Sequence, residues 1–354
     1  MELKLCKEGD EEMLSSFHSD VCGAKSPPPY WSWKYFKNPA GEPVVALFLD
    51  GGEIVGRFGI LPVRMRITSE EVMGGQMVDT DILEEYRWKG LIQPLEKMAR
   101  EEFSKRNGAF TFGFGKDTTV RLATRFSGFK KISEIRMMVK ILDPAVYIAK
   151  RLKVDSMPDF IGNCAKKFIG WRNRAKSKHD VHISAIFCFD ERFDNFWAEA
   201  MRKEISVIRD SKYLEWRYLN CPVVEYKIYC AEKEGKLEGY IIFHKSKMDR
   251  YIRGHIIEFI TLPDAREVAE GLLSTAIQYF SDQGAINISC WLPQQSLIYN
   301  IFRDTGFLER STPHTLIVRP YRNDISQSLI CDLRHWYYSQ GDSDQLLIPR
   351  VSEQ

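Results

Sequence analysis

"EEYRWKGLIQPLEKMAREEF", Glu84 to Phe103, is where one periodicity gives way to another. Upstream, "QMVDTDIL", Gln76 to Leu83, reads as a strand. Downstream, Leu91, Leu95, Met98, Ala99 and Phe103 recur at helical spacing and predict an amphipathic helix over 91–106. Gly90 stands between, flanked by Arg87 and Lys89. A helix start offers unpaired N–H groups and the positive end of the helix dipole. A glycine there either closes a packing turn or lets a phosphate approach the backbone. The residues alone leave both readings open.

Beyond this turn, "GAFTFGFG", 108–115, reads as a buried strand, and Thr118–Phe126 as a short helix closed by Gly128. The same order returns later in the chain. "WKYFKNP" (Trp33–Pro39) and "WRYLNCP" (Trp216–Pro222) share Trp, a basic residue, Tyr and a distant Pro. From Trp33 to Gly56 and from Trp216 to Gly239 the interval is 23 positions in each case. Each interval holds a hairpin pattern, turning at Asp50-Gly51-Gly52 and at Lys233-Glu234-Gly235. "RFSGFK" and "RDTGFLER" follow, 72 positions after Gly56 and 67 after Gly239. Three landmarks in one order at near-equal spacing predict a duplication. The expected parts are an N-terminal domain over 1–145, a connector over 146–184, a C-terminal domain over 185–320, and a docked tail over 321–354. In the second half helices are expected over 265–281 and 295–304. Each half reads as a mixed α/β unit, and the fold class as α+β with a mostly antiparallel sheet flanked by helices.

Composition sets outer bounds. A chain of 354 residues with 44% hydrophobic and 28% charged residues has the make-up of a globular protein. The formal net charge of +2 gives no field that would recruit nucleic acid. "MELKLCKEGDEEML" lacks the apolar run of a signal peptide, and no stretch reaches membrane-spanning length. The eight cysteines are scattered, which fits reduced thiols and predicts a cytoplasmic protein. The seven histidines do not cluster with Ser or Cys, so a hydrolase triad has no support. Asp342 and Asp344 in the tail are too few carboxylates for a metal site. Nine Lys or Arg between Lys150 and Lys178 accompany an apolar stripe of Ile161, Ala165, Phe168 and Trp171. That stripe fits a connector packed across two domains, or a basic amphipathic helix on an anionic membrane.

"YRWKGLIQPLEKM" resembles the acyl-CoA loop of the GNAT N-acyltransferase superfamily, Arg/Gln-x-x-Gly-x-Gly/Ala after the fourth strand. Arg87 and Gly90 match, while Ile92 stands where the pattern has Gly or Ala. Ser127-Gly128-Phe129 and Thr305-Gly306-Phe307 look like a second GNAT landmark. The Trp motif and hairpin look like tandem-GNAT proteins, so the resemblance covers most of the chain. It implies an acyl-CoA, acetyl-CoA in the first instance, held where the fourth and fifth strands splay. Ile82, Leu83, Arg87, Trp88, Lys89, Gly90, Leu91 and Ile92 would bind it, with the pyrophosphate on the amides of Trp88 to Ile92. A backbone N–H near Thr80 would polarise the thioester carbonyl. Asp79, Asp81, Glu84 and Glu85 are the candidate proton acceptors for the amine. Strand alternation would put Asp79 and Asp81 on one face and Val78 and Thr80 on the other. Many family members carry a general-acid Tyr where this chain has Thr124 and Phe302, which leaves Tyr86 or Tyr299 for that role. The second half has no glycine at its turn, and Asp264 with Glu267 would repel a pyrophosphate.

The expected function is N-acyl transfer, N-acetyl transfer first, from an acyl-CoA to a small-molecule or sugar amine. Two rival classes are a tRNA-dependent aminoacyl transferase of the cell-wall crossbridge type and a non-catalytic GNAT-fold binding protein.

Overall fold

Alternating side chains decide what each strand buries on its two faces. In β2 (Val44–Asp50), Val45, Leu47 and Leu49 enter one core, and Val44 and Ala46 the other. β1 (Glu2–Leu5) flanks β2, and β3 (Glu53–Ile67) follows through the turn at Gly51-Gly52. β4 (Glu70–Ile82) pairs antiparallel with β3. One face of these strands is covered by α1 (Glu11–Cys22), α2 (Pro28–Trp31) and a π-helical turn, Ser32–Phe36. The opposite face is covered by α3 (Ile92–Lys105), whose Leu95, Ala99 and Phe103 pack with Leu91 on Val55, Phe58 and Ile60. β5 (Gly108–Gly115), α4 (Asp117–Phe126) and β6 (Lys130–Ile141) complete the first half.

The molecule is a computed structural model that describes residues 1–24, 26–146, 181–201, 205–248, 250–294 and 296–344. Most of the expected basic connector, with Phe168 and Trp171, lies outside the described residues. The chain resumes with β7 (Val181–Ala185), α5 (Glu191–Ala200), β8 (Ile205–Val207) and α6 (Ser211–Leu214). A second π-helical turn, Glu215–Leu219, comes next. Then follow β9 (Lys227–Lys233), β10 (Lys236–Met248), β11 (Tyr251–Thr261) and α7 (Arg266–Asp282). β12 (Ala285–Trp291), α8 (Leu297–Asp304), β13 (Leu308–Pro320) and α9 (Gln327–Ile330) close the list of elements longer than a single 3₁₀ turn. No helix among the described residues is long and apolar enough to cross a membrane. The described cysteines are free thiols.

The run β2-β3-β4-α3-β5-α4-β6 recurs as β9-β10-β11-α7-β12-α8-β13. All the described strands join one mixed sheet, ordered β1-β2-β3-β4-β5-β13-β6-β12-β11-β10-β9-β7, with β8 on β3. The last strand of each run is therefore exchanged. β13 pairs with β5, and β6 pairs with β12. At the join Trp33 and Trp216 stack with ring centres 5.3 Å apart. Each indole N–H donates to the other residue's carbonyl, at 2.7 and 2.9 Å. Such reciprocity is what a two-fold relation between like surfaces produces.

Candidate functional site

β4 carries a bulge. Arg57 of β3 lies opposite Asp81, yet Gly59 lies opposite Val78, so two residues of β4 stand against one of β3. Asp79 takes φ 48°, an unusual conformation for a residue other than glycine. The bulge changes the faces that plain alternation assigns. Val78 joins Asp79 and Asp81 on the side of Trp33 and Leu61, where alternation had put it with Thr80.

The bulge coincides with a parting of strands. β4 runs parallel to β5 from Met73–Gly108 up to Gln76–Phe112, and there the ladder ends. β4 continues to Ile82 and β5 to Gly115 without pairing to each other. β5 keeps its other neighbour, β13, through Gly115. The result is a wedge open towards the Glu84–Gly90 turn. Thr80 stands on it, and its buried hydroxyl has no hydrogen-bond partner.

At the wide end lies the turn. The Arg87 and Lys89 amides donate to the carbonyls of Glu84 and Tyr86, so Lys89 spends its N–H within the turn. Trp88 (φ 69°) and Gly90 (φ 75°) are both left-handed. A Cβ on Gly90 would point into open space. Trp88 is 96% exposed, and the Lys89 ammonium sits over the Tyr86 ring. Leu91 is buried, and with the half-buried Ile82 and Leu83 it fills the core under α3. Of the expected cofactor residues, these three place their side chains in packing and leave only backbone to the wedge. Arg87, Trp88, Gly90 and Ile92 stay at the mouth, with α3 starting at Ile92.

The candidate proton acceptors are placed differently from expectation. Asp79 accepts from Lys34 Nζ and from the Tyr35 hydroxyl, both at 2.7 Å. Although burial opposes ionisation, the charges of Lys34 and Arg57 and the two hydrogen bonds hold its carboxyl well below the usual range. Asp81 is bound by Arg57 at 2.8 Å, and Arg57 also donates to the Asp79 carbonyl. Arg57 is fully buried over the rings of Phe17 and Trp31. These carboxylates brace the bulge, Asp79 taking both of its hydrogen bonds on one oxygen and Asp81 its ion pair with Arg57 on one oxygen. Glu84 lies 89% exposed on the turn within 4.0 Å of Arg87, away from the strand edge. Glu85 is exposed as well. The alternative general acids are also engaged, Tyr86 with Asp50 and Tyr299 with Glu309. The Thr124 hydroxyl bonds back to the Val120 carbonyl of its own helix.

The second half repeats the brace and fills the wedge. Counting from the Gly56–Ile82 and Gly239–Thr261 rungs makes Glu258 the counterpart of Asp79. Tyr218 donates to Glu258 at 2.7 Å as Tyr35 does to Asp79. β11 leaves β12 after the Ile256–Cys290 rung. Across that opening lies the chain's own tail. Tyr337 donates to the Phe259 carbonyl on one side and Tyr338 to the Leu292 carbonyl on the other. Asp342 then meets Arg209 and Asp344 meets Lys34, each at 2.8 Å, so the two tail carboxylates serve ion pairs. A docked tail over 321–354 was expected, but the sequence did not assign Tyr337, Tyr338 and Asp342 to the second wedge, because they lie outside any repeat or motif. A small pocket of about 10 Å³ lies between the halves, lined by Trp33, Lys34, Gln76, Val78, Trp216 and Arg217.

The sequence matches no family model and no curated protein. Its fold has solved counterparts. One is a protein of unknown function from Enterococcus faecalis V583, described as a probable N-acyltransferase (13% identity, 90% of this chain, 72% of that chain, TM-score 0.63). Another is Saccharomyces cerevisiae N-myristoyltransferase with bound myristoyl-CoA (13% identity, 90% and 83%, TM-score 0.61). A third is a GCN5-related N-acetyltransferase from Anabaena variabilis (11% identity, 90% and 73%, TM-score 0.61). The chain has the GNAT fold, and two of these structural neighbours are N-acyltransferases while the third is a probable one.

Proposed function

We propose that the protein is an acyl-CoA-dependent N-acyltransferase with its donor site in the first half. The observation that carries this reading is the parting of β4 from β5 beside the Arg87–Ile92 turn. Unpaired strand edges in the wedge present backbone donors and acceptors to an extended pantetheine arm. The uncovered amides of Trp88, Gly90, Leu91 and Ile92 and the guanidinium of Arg87 face a pyrophosphate at the start of α3. A backbone N–H at the Thr80 bulge is fixed in place before reaction, so it stabilises charge that develops on a thioester oxygen. The thioester supplies the activated acyl group. The braced carboxylates Asp79 and Asp81 hold the bulge in shape and take no proton.

The acyl group is acetyl in the first reading, and the acceptor is a small-molecule or sugar amine. The open Gly90 cradle favours a catalytic donor site over a non-catalytic scaffold. The second half serves as wall and support, since its own wedge holds the tail. Titration calorimetry with acetyl-CoA and with a long-chain acyl-CoA tests this. One site per chain for either donor is expected. Two sites would overturn the asymmetry, and no binding of either would overturn the function.

A further inference from the structure

With the carboxylates engaged, the amine's proton needs another destination. β13 is the strand that the second half places beside β5, and it is irregular at the level of the wedge. Ser311 pairs with Arg136 and Thr315 with Glu134, so three residues of β13 stand against Ile135 alone. The Thr312 hydroxyl pins the irregularity by donating to the Ile135 carbonyl at 2.6 Å. His314 lies in this stretch. Its side chain shares a face with Leu316 and, across the ladder, with Phe114. Trp291 joins Phe114 and His314, with ring centres 5.3 and 5.5 Å away.

His314 is 9% exposed, and neither ring nitrogen has a hydrogen-bond partner. Buried imidazole nitrogens are usually hydrogen-bonded, and both of His314's, like those of His18, lack a partner among the described residues. The height of His314 in the sheet matters as much. From the last β4–β5 rung, Gln76–Phe112, four residues lead to Thr80 and the bulge absorbs one. Thr80 is thus level with Gly115, and Gly115 pairs with Thr315. His314 therefore stands beside the level where the thioester would lie, on the sheet face opposite α3 and α4.

The geometry points to His314 as the proton acceptor of the acyl transfer, lent to the first half's donor site by a strand of the second half. This rests on the donor-site reading above. The amine nitrogen bonds to the thioester carbonyl carbon, and its proton passes to a ring nitrogen of His314. The C–S bond then breaks, and the imidazolium returns the proton to the departing thiolate. Amine and thioester become amide and free thiol, with His314 restored. Burial, aided by the charge of Lys116, lowers its pKa to about 4, so the ring is neutral with a free lone pair at pH 7. Phe114 and Trp291 supply the apolar wall of the amine's approach.

Two measurements on the full chain test the assignment. The first follows free-thiol release from acetyl-CoA or myristoyl-CoA with water, glycine, glucosamine or a glycine-initiated peptide as nucleophile. H314Q and H314A should bind acyl-CoA within about twofold of wild type and release thiol on the order of 100-fold more slowly. Added imidazole should restore part of the H314A rate. Loss of less than about threefold would overturn the proposal. The second is carbethoxylation of His314 in the wild-type chain, read by peptide mass with and without saturating acyl-CoA. Protection is expected. It decides the matter if the variants fail to fold or if wild type shows no turnover. Bound acyl-CoA without protection would overturn the His314 assignment and leave the donor site standing. Absence of acyl-CoA binding to wild type would overturn both.

Discussion

Lys34 is 2% exposed and lies between two carboxylates, Asp79 and Asp344. Removing one partner leaves a buried charge short of compensation. Asp79→Ala should lower stability by about 3–5 kcal/mol, towards the lower end because Asp344 remains. Urea unfolding reads this, and a loss under about 1 kcal/mol would mean the brace is incidental. The buried histidines set the acid behaviour. Burial lowers His244 to about 4 and His255 to about 3, and their rings stack 5.1 Å apart. Between those values and the unfolded value near 6.5 the unfolded chain binds more protons. Stability is therefore full above about 6.5 and falls as pH drops towards 4, by about 1.4 kcal/mol per unit for each group. Asp79 and Lys34 add no slope there, since one shifts below that window and the other above it. Stability measured at pH 7, 5.5 and 4.5 should decline stepwise, and a flat profile would contradict the buried neutral rings. Little of this was legible beforehand. Asp79 and Asp81 stood out as acids in a strand, yet their partners Lys34 and Arg57 come from other elements. The positive φ at Asp79 carries no glycine to announce it.

At the level of elements the sequence served well wherever one periodicity ruled. The helix expected over 91–106 forms over Ile92–Lys105, and the strand at 108–115 forms as read. The helices expected over 265–281 and 295–304 form over Arg266–Asp282 and Leu297–Asp304. What periodicity could not show was where a ladder stops. β4 and β5 look like continuous strands in one dimension, and their parting after Gln76–Phe112 exists only in the pairing. The Gly90 turn tests the donor site at this scale. Gly90→Glu should abolish acyl-CoA binding in calorimetry while circular dichroism stays native. The side chain points to open space, the left-handed φ costs on the order of 1 kcal/mol, and the new carboxylate faces the pyrophosphate. Binding at wild-type strength would remove the phosphate cradle from this turn.

The recurring order of elements was legible at the scale of the molecule because the Trp motif, the hairpin and the Gly-Phe landmark recur in order. The exchange of β6 and β13 was not, since spacing along a chain says nothing about which copy supplies a neighbour. The exchange makes the halves interdependent. A chain ending near Leu142 would leave β5 without β13 and β6 without β12, so it should be insoluble or unfolded. The full chain should unfold in one calorimetric transition, and two resolved transitions would show separable domains. The exchange also sets a clock on the newborn chain. β5 is complete once Gly115 has been made, yet its neighbour begins only at Leu308. At roughly 5–20 residues per second, the ribosome leaves that edge unpaired for about 10–40 seconds. During this interval Phe110 and Phe112 lack the cover of Trp336. Chains stalled before Leu308 should be cut by protease within the first half, and those stalled with β13 and the tail emerged should resist. For this protein, time spent half-made is time in which an unpaired apolar edge is open to aggregation.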